Sequence, residues 1–190
     1  MKCEWNAFEF GTYFLTKSNM VVRDTDMLVD IKEHSPVSVG FSITCAGDET
    51  CKVVEPNAST TTERFKAIEH LAKSGIITGV FMDPVIPYIT DTKENVQEMV
   101  KKAKYYGAKY MYMSPQVAIV VILVLLFICV GNSGVMFFGL LVKIFTLPVR
   151  HCRSPQGKKL WNIFAEICEK EGMCYSMRVA NQMIRHGYDV

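Results

Sequence analysis

The stretch VSVGFSITCAGDETCKVVEPNASTTTERFKAIEHLAKSGIITGVFM, residues 37–82, predicts a strand, a helix and a second strand in succession. Val37–Ile43 and Ile76–Met82 are apolar runs of strand length that contain β-branched residues. Between them, Thr60 and Glu63 have the spacing of a capping box at the start of a helix. A strand, a helix and a strand joined by short loops are typical of parallel strands.

The same alternation continues on both sides of this stretch. Upstream, Phe10–Thr16 predicts a strand and Asp24 caps a short helix; downstream, Asp91 and Glu94 begin a helix that precedes a strand at 108–113. This order predicts an α/β fold with helices covering a parallel sheet. Ligand groups in such folds gather at the carboxyl ends of the strands. Because four strands do not close a barrel, we expect part of a larger unit.

Composition restricts the class of protein. The chain has 190 residues, 49% hydrophobic and 21% charged, which excludes a disordered or fibrous protein. A net charge of +2 gives no overall electrostatic case for nucleic-acid binding. Seven cysteines and four histidines lack the spacing of metal hooks, so the residues predict no metal site. Without a signal-like start, the chain is predicted to be cytoplasmic with reduced cysteines.

Two abrupt changes in composition divide the chain into 1–114, 115–151 and 152–190. The middle segment has no acidic residue, and its apolar run Val117–Val142 is long enough for one membrane span, which requires about 20 residues, only if the interruption within it is tolerated. The sequence GNSG interrupts that run. Residues 152–190 predict two C-terminal helices, the second from about Met177 to Arg185.

Polar side chains follow the first two predicted strands. Lys17 is placed to meet a carboxylate or a phosphate, and the alternative is a solvated lysine. Ser42 and Thr44 alternate with Phe41 and Ile43, so their hydroxyls are expected to face an interior crevice. There they either bind a ribose or an amino-acid group or bond neighbouring backbone.

Three further charged residues leave alternatives open. Glu55 and Arg64 either pair with each other or turn one charge toward a ligand. Asp83 follows the third strand and is interpreted as a polar loop residue, with a ligand contact as the alternative.

Five phrases resemble one known family: FLTKSNMVVRDTDML, VSVGFSIT, VVEPNASTTTERFKAIEHLAKSGI, GVFMDPVIPYITDT and CRSPQGKKLWNIFAEICEKEGMCYSM. They resemble the radical S-adenosylmethionine (radical SAM) proteins related to spore photoproduct lyase, often labelled DNA repair photolyases. The resemblance implies a partial (βα) barrel of the radical SAM type, with about four of six βα units present, followed by C-terminal helices. It also implies S-adenosylmethionine and a [4Fe–4S] cluster that reduces it to release a 5′-deoxyadenosyl radical, and DNA as a partner.

The resemblance assigns four residues to cofactor binding. Lys17 and Ser42 match family positions that contact S-adenosylmethionine, and Thr44 lies at another polar position of the same strand. Arg64 falls on the EP…R motif of the family. No catalytic residue and no metal ligand is assigned in this chain.

Two departures from the family shape the expected function. The C-x₃-C-x₂-C loop that holds the cluster is absent, so we expect an N-terminally truncated fragment that is inactive as it stands. Residues 115–151 do not resemble the family, and their matching length suggests a segment read in a shifted frame. The alternatives are a small membrane-anchored protein that uses 117–142 and a nucleoside-binding module without redox chemistry.

Overall fold

The computed structural model describes residues 11–86, 88–114, 116–117, 152–153 and 156–185. Four strands form a parallel sheet in the order β1-β2-β3-β4: β1 Thr12–Thr16, β2 Val37–Ser42, β3 Ile77–Met82 and β4 Tyr110–Met113. Gln116–Val117 (β5) pairs antiparallel with Cys152–Arg153 (β6). The predicted parallel sheet is confirmed, whereas its being part of a radical SAM-type (βα) barrel stays a prediction, because the described strands form an open sheet.

Helices connect and cover these strands. A 3-10 helix spans Asn19–Asp24, and the α-helices of the described residues are α1 Thr25–Lys32, α2 Asp48–Val54, α3 Thr61–Lys73, α4 Lys93–Tyr105, α5 Gly157–Glu171 and α6 Met177–Arg185. The predicted second C-terminal helix is confirmed at Met177–Arg185.

Helix α3 shows how local sequence sets an element. The Thr60 side chain accepts a hydrogen bond from the Glu63 backbone, and the Glu63 carboxylate accepts one from the Thr60 backbone. The predicted capping box is therefore confirmed. Phe65, Ile68 and Leu71 recur at helical spacing and are at most 1% exposed, so one face of α3 packs against the sheet.

The two faces of the sheet differ in chemistry. Val39, Phe41 and Ile43 point to the face that packs against the helices and belong to the main core. On the opposite face, Gly79 leaves room for the Tyr110 ring, which would lie 2.2 Å from an added Cβ. Helix α6 covers part of that second face through Ala180, which is fully buried. The serines of β2 share this second face, as the alternation of the strand requires.

Three short features differ from the prediction. Helix α4 is capped by Thr92, whose hydroxyl accepts from the Asn95 backbone at 3.2 Å, and not by Asp91. The Asp91 carboxylate accepts from the Tyr88 backbone at 2.6 Å instead. Helix α2 and the 3-10 helix were not predicted. Both are short; α2 buries one residue, Cys51, and the 3-10 helix buries none, so neither shows apolar periodicity in the sequence.

The apolar segment falls mostly outside the described residues. Of the predicted span 117–142, only Val117 is described, as part of β5. The boundaries 1–114, 115–151 and 152–190, and the shifted reading frame, stay predictions. None of the helices that the structure describes has the length and apolar character needed to cross a membrane.

Candidate functional site

An open cleft lies at the carboxyl end of β1, between the residues that follow that strand and the loop that precedes α3. Its volume is about 800 Å³, and residues 17–20 and 55–59 provide most of its walls. The loop is docked on β1 by the Ser59 backbone, which donates to the Lys17 carbonyl, and by the Ser59 hydroxyl, which accepts from the Asn19 backbone at 2.9 Å. This is the edge where ligands of open parallel sheets bind.

Arg64 is a fully buried cation behind the cleft. Its Nη1 donates to the Ser42 carbonyl at 2.5 Å, and its Nε donates to the Ser59 carbonyl at 2.7 Å. Its Nη2 donates to Glu55 Oε2 at 2.5 Å and lies 3.3 Å from the Cys51 sulfur. One guanidinium therefore ties the end of β2 to the cleft loop, and its charge is neutralised by a carboxylate as a buried cation requires.

Glu55 is shared between two cations. Its Oε1 accepts from Lys17 Nζ at 2.5 Å, while its other oxygen accepts from Arg64. Burial raises the pKa of Glu55, but the hydrogen bonds and positive charges of Lys17 and Arg64 outweigh it and hold that pKa below its ordinary value. These three residues form the ionic network, which carries a net charge of +1 when Glu55 is ionised.

The two ends of the ionic network differ in exposure. The Lys17 side chain is 47% exposed, whereas that of Arg64 is 0% exposed. Glu55 and Arg64 pair with each other, which was one of the two alternatives left open by the sequence. Lys17 is the member of the network whose charge water or a ligand reaches.

The predicted hydroxyls have partners within the protein. Ser42 Oγ donates to the Asp83 carbonyl at 3.3 Å and so joins the exits of β2 and β3. Thr44 Oγ1 lies 3.4 Å from the Cys45 sulfur. The side chains of Ser42 and Thr44 are both buried. The Asp83 side chain is exposed; desolvation raises its pKa, and the charge of Lys17 opposes that rise.

A second network, not predicted from the sequence, holds Thr44. Asn95 Nδ2 donates to the carbonyls of Thr44 and Thr90 at 3.0 and 2.9 Å, and its Oδ1 accepts from the Ala46 backbone at 2.8 Å. These four residues form the amide network. Lys102 adds a hydrogen bond from its Nζ to the Ala46 carbonyl at 2.8 Å.

Sequence reasoning missed Asn95 for a definable reason. Its only local signal is its place in the first turn of α4, three residues after the cap Thr92. Its partners Thr44 and Ala46 lie about fifty positions upstream in the chain. The structure therefore places Lys17 and Arg64 in the ionic network and Thr44 in the amide network, while Ser42 contacts the ionic network only through its backbone carbonyl, which accepts from Arg64. Cofactor binding by these four residues stays a prediction.

The described residues do not fit an iron–sulfur cluster. Cys45, Cys51, Cys168 and Cys174 are free, and no group of three cysteines converges within the part of the chain that the structure describes. Burial raises the pKa of the Cys45 thiol and raises that of Cys168 to about 12, which disfavours the thiolate that a metal requires. Within the described residues, one cluster of side chains that are able to bind a metal does converge: Asp30 on α1, with Glu33 and His34 just beyond its end. All three are exposed, and exposed acidic clusters of this kind are common without a metal.

Comparison with curated proteins gives distant relatives. No family model matches the chain. An uncharacterized protein of Mycobacterium tuberculosis and one of Mycobacterium bovis are each 28% identical to it over 94 residues, which is 50% of this chain and 28% of each relative. The chain therefore covers less than a third of the length of these relatives.

Comparison with solved structures identifies a similar fold. Spore photoproduct lyase complexed with dinucleoside spore photoproduct matches with a TM-score of 0.55 and 16% identity, over 83% of this chain and 47% of that enzyme. A variant of the same enzyme with bound AdoMet and dinucleoside spore photoproduct matches with a TM-score of 0.54 and 16% identity. The mixed α/β fold of this chain is thus similar to that of spore photoproduct lyase, a radical SAM enzyme.

Proposed function

We propose that this chain is part of a radical SAM-like (βα) barrel related to spore photoproduct lyase, and that its cleft binds S-adenosylmethionine. The observation that carries the proposal is the ionic network at the carboxyl edge of a parallel sheet of this fold. Its exposed end, Lys17, borders a cleft of about 800 Å³, a volume within the range of small-molecule sites. The described residues thus suit the amino-acid part of the cofactor, which carries one carboxylate and one ammonium group.

Charge complementarity assigns the roles within the cleft. We expect the Lys17 ammonium to bind the carboxylate of the cofactor, exchanging its contact with Glu55 for the new one. Because its lowered pKa keeps Glu55 ionised, that carboxylate stays available to the ammonium group of the cofactor. Arg64 holds Glu55 in place from behind, since its own nitrogen atoms are bonded to Ser42, Ser59 and Glu55.

The two hydroxyls contribute at the exits of the strands. Ser42 and Thr44 are proposed to bond polar groups of the cofactor after giving up their present partners, the Asp83 carbonyl and the Cys45 sulfur. The Ser42 hydrogen bond is long at 3.3 Å, and the Thr44 hydroxyl contacts a sulfur, which is a weak hydrogen-bonding partner, so the loss of either contact costs little.

Radical chemistry is not assigned to the described residues. In radical SAM proteins the cofactor supplies a 5′-deoxyadenosyl radical when a [4Fe–4S] cluster reduces it. The sequence has no C-x₃-C-x₂-C motif, and the described cysteines do not converge. We therefore propose that the residues of this chain bind the cofactor but do not reduce it. Iron analysis after anaerobic reconstitution tests this point, and a stoichiometric four-iron cluster would overturn it.

A binding titration tests the proposed function. S-adenosylmethionine is titrated into the whole chain by calorimetry, and we expect saturable binding that Lys17→Gln weakens at least about tenfold through loss of a charged contact. Lys66→Gln is the matched control, because it removes the same charge from an exposed position of α3. Absence of heat and of a thermal shift with the wild-type chain would refute the proposal, and so would equal affinities of the two variants.

The remaining expectations have less support. The alternative of a membrane-anchored protein depends on residues 117–142, and none of the described helices offers a second candidate span. A DNA substrate rests on analogy with an enzyme whose structure holds a dinucleoside spore photoproduct. Cytoplasmic localisation stays a prediction.

A further inference from the structure

The backbone that leaves β2 is held by side chains and not by strand pairing. The last ladder contact of this strand is the hydrogen bond from the Ile43 backbone to the Phe81 carbonyl, at 2.9 Å. Beyond it, residues 44–46 are buried, and their three carbonyls and the Ala46 amide are bonded by side chains of α3 and α4. Buried backbone groups need such partners, so these side chains fix the path of the chain.

Asn95 joins the backbone that leaves β2 to the loop that follows β3. Its amide donates to Thr44 at the exit of β2 and to Thr90 in the loop after β3, and accepts from Ala46. Two donated bonds and one accepted bond match the two hydrogens and the oxygen of a primary amide. Asp at this position keeps an acceptor for Ala46 but places an oxygen against two carbonyl oxygens. The geometry therefore requires an amide and not merely a polar side chain.

We propose that Asn95 is a positioning residue for Thr44, one of the two residues whose hydroxyls are proposed to bind the cofactor. It acts by holding Thr44 and the exit of β2 in the conformation that binds the ligand. This inference rests on the proposed function, because it gives Asn95 an effect on the affinity for S-adenosylmethionine. The amide itself touches Thr44, Ala46 and Thr90 and is assigned no contact with the cofactor.

The test compares two variants of the same helix. Asn95→Asp disturbs the amide network, whereas Thr92→Ala removes the cap of α4 and leaves the network's side chain in place. We expect Asn95→Asp to raise the Kd for S-adenosylmethionine at least about tenfold. Thr92→Ala is expected to lower the melting temperature while the Kd stays within about twofold of wild type.

A second measurement is independent of the ligand. The Ala46 amide proton is bonded to Asn95 Oδ1, so its hydrogen exchange reports the amide network directly. We expect faster exchange of this proton in Asn95→Ala but not in Thr92→Ala, at temperatures where both are folded. Unchanged exchange in Asn95→Ala would show that the amide does not hold the exit.

A milder variant covers the case in which Asn95→Asp does not fold. Lys102→Met removes the hydrogen bond to the Ala46 carbonyl, with exposed Lys101→Met as its control. A Kd several-fold higher for Lys102→Met than for Lys101→Met supports the inference. Wild-type binding with equal Kd values for Asn95→Asp and Thr92→Ala overturns the positioning role alone. No binding by the wild-type chain overturns the proposed function and this inference together.

Discussion

The ionic network and the amide network hold neighbouring strand exits by different chemistry. In the ionic network, one carboxylate, Glu55, neutralises the buried guanidinium of Arg64 and also reaches the half-exposed Lys17. In the amide network, the neutral side chain of Asn95 bonds backbone groups of two loops. The two networks therefore suit different roles. The charged Lys17 lies near water and is able to exchange its partner for a ligand, whereas the neutral amide of Asn95 holds the backbone of the loops in one conformation. Charge also makes the first network sensitive to pH and salt.

The largest effect is expected when the ionic network loses its carboxylate. Glu55→Gln leaves the guanidinium of Arg64 buried without a counter-charge, so we expect a loss of about 3 kcal/mol in the free energy of unfolding, measured with urea. Glu49→Gln is the control, because Glu49 pairs with Lys52 at the surface, where a pair contributes about 0–1 kcal/mol. Equal stabilities of the two variants would show that water reaches Arg64 and that the network is not a buried ion pair.

The pH dependence of stability distinguishes the two networks. The pKa of Glu55 is lower in the folded chain than its ordinary value of 4.5, so the unfolded chain takes up this proton first as the pH falls. The stabilisation from Glu55 is therefore complete above about pH 5 and is lost as the pH falls through the lowered folded pKa. We expect Glu55→Gln to flatten the stability profile below pH 5. Asn95→Ala should lower the whole profile without changing its shape, since it removes no titrating group.

Urea unfolding at several pH values from about 3 to about 7 measures both profiles. Other acids contribute to the wild-type slope, among them Asp48: desolvation raises its pKa, but hydrogen bonds that it accepts from Thr62 and the nearby positive charges outweigh this and lower the pKa. The comparison therefore uses the difference between each variant and wild type. Parallel profiles for wild type and Glu55→Gln would contradict the role given to Glu55.

The sequence predicted the sheet better than it predicted the networks, and the physical reason is the distance over which each signal acts. The strand Ile77–Met82 and the capping box of α3 are encoded by adjacent residues, and both were predicted. The pairing of Glu55 with Arg64 was one of two alternatives, because nine residues of separation across a loop do not fix a direction. Asn95 was missed because its partners become neighbours only after the sheet has assembled.

The sequence predicted that the hydroxyls of Ser42 and Thr44 face the interior, but it did not identify their partners. Alternation along β2 places Ser42 on the face opposite the helices, as predicted, but it does not show what covers that face. The structure gives Ser42 a carbonyl partner on the neighbouring strand exit, Asp83, which depends on the parallel register of β2 and β3. Local pattern thus predicts the face on which a side chain lies, and tertiary register decides its partner.

The smallest effect is expected at Tyr88, which lies two residues before Thr90 of the amide network. Tyr88 has φ of 65°, a left-handed conformation that costs a residue with a Cβ about 1–2 kcal/mol, and its side chain is 85% exposed. Tyr88→Gly removes that cost, while the greater freedom of glycine in the unfolded chain offsets part of it, so we expect a net gain of about 0.5 kcal/mol. Tyr88→Ala is the matched control, because it removes the ring but keeps the Cβ, and it should show no gain. Thermal unfolding of both variants decides the matter: a gain in Tyr88→Ala equal to that in Tyr88→Gly would assign the cost to the exposed ring and not to the backbone.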